Sequence, residues 1–170
     1  MNKINNSLDI NLTGSYFVVP PQDLECYITQ TILNKNFKIK GIDKTIWYIE
    51  KSDNGYVFGK SATFVQLDNG DFISTFNNLS GSIGDDNNMV DFTFESLNFS
   101  TSNIMIGIGN FFYNNNLPQF YMQISSPFSY KWNDGSYSNT SFLHKSNMIK
   151  VDPHFIVNIN GCIKKVSDIF

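Results

Sequence analysis

The sequence contains no arginine; all 12 of its cationic residues are lysines. Without guanidinium forks the chain lacks the usual bidentate device for gripping phosphates and carboxylates. Charge of either sign is scarce, at 16% of residues, and the balance is acidic, with a net charge of -3. Such a chain argues against nucleic acid and against anionic membranes as partners. Only two cysteines occur, Cys26 and Cys162, near opposite ends of the chain. Their separation fits no zinc-ligand or redox spacing; the expectation is two reduced, buried thiols, with one disulfide as the alternative if the termini meet. The two histidines, His144 and His154, complete a donor set too small for a metal centre, and neither metal nor cofactor is expected. No apolar run is long enough to span a bilayer, and the first ten residues hold no hydrophobic signal region. A soluble protein, cytoplasmic or otherwise intracellular, is therefore expected.

Aromatic side chains and asparagine are what the chain has in quantity. It carries 16 Phe, 8 Tyr and 2 Trp within a hydrophobic fraction of 41%. Aromatic and β-branched residues suit a pleated, half-buried surface, so composition already tilts toward strands. Asparagine clusters such as Asn87-Asn88 and Asn114-Asn115-Asn116 fit the coding bias of an AT-rich genome. Asn-x-Ser/Thr triplets begin at Asn5, Asn11, Asn78, Asn98 and Asn139, which a chain this rich in Asn, Ser and Thr produces by chance.

The polar stretch 1–11 is expected to be a flexible tail, and 12–170 a single β domain. A strand pattern begins at Leu12 and runs through Tyr16, Phe17 and Val19 to Pro20-Pro21. Leu24, Tyr27, Ile28, Thr31 and Ile32 then fall at helical spacing, with Asp23 and Glu25 suited to a helix N-terminus. One short N-terminal helix is expected there. From Phe37 onward the pattern is β. Apolar runs at 46–50, 56–67 and 72–76 are separated by Asp53-Asn54-Gly55 and Asp68-Asn69-Gly70. Asn-Gly between two such runs is a strong hairpin signal, because a type I′ turn needs positive φ at both central residues. Val90, Phe92 and Phe94 alternate with Asp91, Thr93 and Glu95; Ile104, Ile106 and Ile108 with Met105, Gly107 and Gly109; Phe120, Met122 and Ile124 with Tyr121, Gln123 and Ser125. Trp132 leads into Asn133-Asp134-Gly135, and further strands are expected around 148–151, 155–159 and 162–166. The reading is an all-β, predominantly antiparallel meander of about ten strands. Such a meander must close its edges or double over, giving a closed barrel or a two-sheet sandwich.

No catalytic constellation stands out. Were the protein an enzyme, Glu50, Asp152 and His154 would be its acid/base candidates, though Asp152-Pro153-His154 also reads as a turn. Asp91 and Glu95 face solvent if Val90, Phe92 and Phe94 face the core. The Asp-rich turns at 68–71 and 84–88 lack the ligand spacing of an EF-hand. Gly107-Ile108-Gly109 precedes Phe111-Phe112 rather than a helix, so these glycines serve a bulge or close packing over a ring. The most suggestive feature is a set of aromatics among amides and hydroxyls: Trp47, Tyr48, Phe120, Tyr121 and Trp132. Adjacent residues of a strand point to opposite faces, so one member of each pair joins the core and the other is exposed or lines a cavity. An aromatic interior suits an apolar small molecule, and exposed aromatics suit sugar stacking.

Leu12-Thr13-Gly14-Ser15-Tyr16 resembles the Gly-x-Trp opening of the lipocalin-like barrels, with Tyr where Trp is usual. The resemblance implies a calyx with a ligand entering at one end. It also implies a late-chain arginine packed on that aromatic, which this chain does not have. The leading expectation is non-catalytic binding of a small, largely apolar ligand in a lipocalin-like barrel interior. Its rivals are a structural or assembly subunit with a filled core, a barrel-cavity isomerase or cyclase, and glycan binding through Trp47 and Trp132. The partners expected are accordingly a small apolar molecule or a second copy of the chain.

Overall fold

The computed structural model describes residues 10–20, 22–30, 35–84, 88–97, 104–131, 135 and 137–170, with side chains described outside 22–30, 35–39, 126–131 and 137–144. The strands are β1 (Ser15–Val18), β2 (Gln22–Gln30), β3 (Lys35–Asp53), β4 (Tyr56–Leu67), β5 (Phe72–Ile83), β6 (Met89–Ser96), β7 (Ile104–Asn114), β8 (Leu117–Lys131) and β9 (Tyr137–Val151). A short hairpin, β10 (Ile156–Ile159) and β11 (Cys162–Lys165), follows, and Val166–Asp168 form one turn of 3-10 helix.

Strands β3 to β9 pair in sequence order, each antiparallel to the next, and β1 pairs with both β3 and β9. The sheet therefore closes on itself as a barrel of eight staves, which removes the open edges that a sandwich would leave. The first stave is broken. Val18 faces Ile46 and Gln22 faces Asp43, so four steps along this stave match three along β3. The break coincides with Pro20-Pro21, whose nitrogens cannot donate to a ladder.

The helix expected over 24–32 is not formed. Residues 22–30 are β2, in unbroken register with β3 from Gln22 against Asp43 to Gln30 against Lys35; Thr31 and Ile32 lie outside the described residues. Tyr27, Ile28 and Thr29 are poor helix formers, and the first half of β3 presents a row of backbone groups that only a neighbouring strand satisfies. The one helical turn described lies at the other end of the chain, at Val166–Asp168.

Turn chemistry follows the local sequence. Asn54 and Gly55 take φ values of 49° and 78°, as a type I′ turn requires. Asn115 and Asn116 do the same without glycine, at 50° and 63°, which asparagine tolerates. At Asp68-Asn69-Gly70 only Gly70 is left-handed, at 90°, and Gly70 N–H donates to the Leu67 carbonyl across a three-residue loop. Gly107 and Gly109 face inward. A methyl group at Gly107 would press on Met122 and Phe94, and one at Gly109 would collide with the Tyr121 carbonyl. Close packing over an aromatic ring is thus the role of Gly107.

Two apolar clusters hold the molecule together. The first fills the barrel, with Phe17, Trp47, Ile49, Val57, Val90, Phe92, Phe94, Phe111, Phe120, Met122 and Met148 among its members. Ile10 packs against it, and Leu12 is buried within it. The second lies on the outside of the wall. Val18, Ile46, Ala62 and Phe64 point outward and are covered by Ile159 and Val166 of the C-terminal hairpin and turn.

Candidate functional site

The segment 43–49 reads Asp-Lys-Thr-Ile-Trp-Tyr-Ile, and its period of two sends Asp43, Thr45, Trp47 and Ile49 into the barrel. Register extends this row sideways. Thr45 faces Thr63, which faces Thr75; Trp47 faces Ser61, which faces Asn77, which faces Ser96. Asp43, Thr45, Ser61 and Asn77 are all buried. Ser146 joins them from β9. It lies three residues beyond Ile149, and Asp43 three residues beyond Ile46, and Val18 faces both of those isoleucines. The two residues therefore stand at one level on staves flanking the first.

The result is a polar belt inside the barrel, lying beside an aromatic layer. In that layer the Trp47 ring lies 5.5 Å from Phe92, 5.6 Å from Phe94 and 5.7 Å from Phe120, in tilted or edge-on contacts. Phe17 and Phe111 each approach Phe120 at about 5 Å. In the belt, Thr45 Oγ1 donates to Asp43 Oδ1 at 2.8 Å. That uses the hydroxyl's one proton, so the 3.1 Å contact with Thr63 has Thr63 donating to Thr45. Asn77 Nδ2 reaches Thr75 Oγ1 at 3.5 Å. Two further polar atoms, Trp47 Nε1 and Ser146 Oγ, are buried with no hydrogen-bond partner among the described residues. Leaving such a group unsatisfied costs about 1–3 kcal/mol, so each calls for a partner from outside the described chain.

The five aromatics singled out from the sequence do not form one site. Trp47 and Phe120 meet in the interior, both 0% exposed. Tyr48 lies on the outer face, stacked on Tyr16 at 4.7 Å and on Phe170 at 6.2 Å. Tyr121 lies on the outer face of β8, and Trp132 lies outside the described residues. With no exposed ring face, Trp47 offers nothing for a sugar to stack on. Tyr16, which carries the lipocalin-like resemblance, also faces outward, and Phe17 is the side chain that β1 sends inside. Burial, with a smaller contribution from Tyr48, raises the Tyr16 hydroxyl above its ordinary pKa.

The acid/base candidates lie apart from the belt. Glu50 is the bulged residue between Ile49 and Lys51 and pairs with Lys60 at 3.0 Å on the surface. Asp152 Oδ1 accepts the backbone N–H of His154 at 2.8 Å, an Asx turn, and both residues are exposed. Asp91 and Glu95 are exposed on β6 while Val90, Phe92 and Phe94 are buried. Asp71, in one of the Asp-rich turns, is held by Asn69 at 3.0 Å. No group of three or more metal-ligating side chains occurs among the described residues. Cys162 is a free thiol, and it is exposed rather than buried as expected, because it faces Ile159 across the β10–β11 hairpin at the edge of an open cleft. The Cys26 side chain lies outside the described part.

Asp43 lies outside the apolar run of 46–50, so local pattern alone does not mark it as a site. The signal was present: extending the inward row from Ile49 and Trp47 by the same period reaches Thr45 and Asp43. The chain matches no protein-family model, and no curated protein is similar to it. Among the described residues no helix is long and apolar enough to cross a membrane. Fold and site together define a closed antiparallel β-barrel with a buried polar belt.

Proposed function

We propose that this protein is a non-catalytic binding barrel, holding one small, largely apolar molecule with a few polar groups at the belt. The observation that carries this is the Asp43–Thr45–Thr63 wall beside Trp47 Nε1 and Ser146 Oγ, which have no partner among the described residues. A barrel of eight strands has room for side chains or for one small ligand. Here the rings of Phe17, Phe92, Phe111 and Phe120 fill one layer of the interior, and the belt forms the layer beside it. The ligand's apolar body would part the Trp47 layer from the belt, and its polar groups would take up the indole N–H and the Ser146 hydroxyl. Native mass spectrometry of the gently purified full chain tests this. Expected is a reproducible extra mass on the order of a few hundred daltons, lost in a folded Asp43→Asn, Thr45→Val double variant. A bare mass for the folded wild type overturns it.

One observation favours a second reading, an assembly subunit. Ile104, Ile106 and Ile108 form a row on the outer face of β7, each more than half exposed. An exposed apolar row on a sheet is a feature of association surfaces. A discrete oligomer in light scattering, dispersed by Ile106→Lys, would support that reading, and a monomer at all concentrations would remove it.

A further inference from the structure

A cleft of about 260 Å³ lies outside the barrel, between the outer face of β4 and β5 and the C-terminal hairpin. Its floor is aromatic. Phe72 and Phe76 project from β5 four residues apart, and Phe64 of β4 stacks on Phe72 at 6.4 Å and meets Phe76 edge-on at 5.8 Å. Phe72 and Phe76 are 39% and 42% exposed. The opposite wall is polar at its rim, where Asn160, Cys162 and Lys164 line the cleft. Cys162 and Lys164 are two residues apart on β11, so they share a face. Lys164 is exposed and has no ion-pair or hydrogen-bond partner among the described residues.

We infer that this cleft binds a small apolar monocarboxylate, its hydrocarbon or aryl body on Phe64, Phe72 and Phe76 and its carboxylate at the Lys164 ammonium. Three rings supply a surface that gains from covering, and one uncompensated ammonium at the rim selects a single negative charge. The absence of a guanidinium fork disfavours a doubly charged phosphate head. The site is separate from the polar belt, and its occupancy does not depend on anything bound inside the barrel.

Cys162 provides a local reporter. Octanoate is titrated into the full chain, and alkylation of Cys162 by N-ethylmaleimide is followed by mass spectrometry of its peptide. The readout is the ratio of rates with and without octanoate for each variant, which cancels any effect of the substitution itself on the alkylation rate. Expected is saturable, several-fold protection with half-effect on the order of 10⁻⁴ M, as suits so few ligand atoms. Lys164→Met should weaken protection by octanoate to the level given by octanol, and Phe72→Ser should abolish protection by either, both variants keeping the wild-type circular dichroism spectrum. An alkylation ratio of one throughout the titration, or equal protection in wild type and Lys164→Met, would overturn the assignment. Either result leaves the mass measurement on the barrel interior standing, since Cys162 lies on the outer side of the wall.

Discussion

Two outer faces of the same barrel carry outward-pointing isoleucines that meet opposite fates. On β3, Ile46 points outward and is 1% exposed, because Ile159 and Val166 of the C-terminal segment lie over it. On β7, Ile106 points outward and is 55% exposed, with Thr93 and Ser125 beside it on the neighbouring strands. The strand geometry is the same at both places. Only the presence of a further element distinguishes a second core from a bare row, so alternation assigns a side chain to a face without assigning it to an interior.

Both faces rest on the interior, and the largest effect is expected there. Trp47→Ala should cost about 3–5 kcal/mol in urea unfolding, because the ring is fully enclosed by Phe92, Phe94 and Phe120. Ile46→Ala should cost about 2–5 kcal/mol by the same measurement, the price of a cavity beneath the hairpin. Gly109→Ala, next to the bare row, should destabilise by about 1–3 kcal/mol, since β8 approaches β7 too closely to admit a methyl group. A smaller, pH-dependent effect is expected at Tyr16. Its folded pKa is raised, so above about pH 10 the unfolded chain ionises first and stability falls as pH rises. Tyr16→Phe should remove that part of the alkaline slope in a series of unfolding curves. Ile106→Ala should change stability by no more than about 0.5 kcal/mol, as for other exposed positions. If Ile46→Ala and Ile106→Ala prove equal, the distinction between the covered and bare faces fails.

The candidate site was less legible than the fold. The hairpin at Asn54-Gly55 could be read from two residues because positive φ is a local steric demand. Asp43 could not, since a charged residue in a strand belongs outside unless its partners say otherwise. Thr45 lies two residues along the same strand, but Thr63, which bonds Thr45 in turn, arrives only once β3 and β4 are in register. Segment 22–30 failed for a related reason. Its helical spacing is a local property, whereas its pairing with 35–43 satisfies backbone groups that no local spacing describes.

The sequence by itself determined an antiparallel meander of short hairpins, because alternation and turn sterics act over a few residues. It also determined that Phe92 and Phe94 share a face opposite Asp91 and Glu95. Tertiary structure alone decided that β1 would bridge β3 and β9 and close the barrel, that Met105, Gly107 and Gly109 rather than the isoleucines of β7 would face inward, and that the last strands would cover Ile46. Burial is summed over strands far apart in the chain, so the choice between inside and outside belongs to the assembled wall and not to any one of its segments.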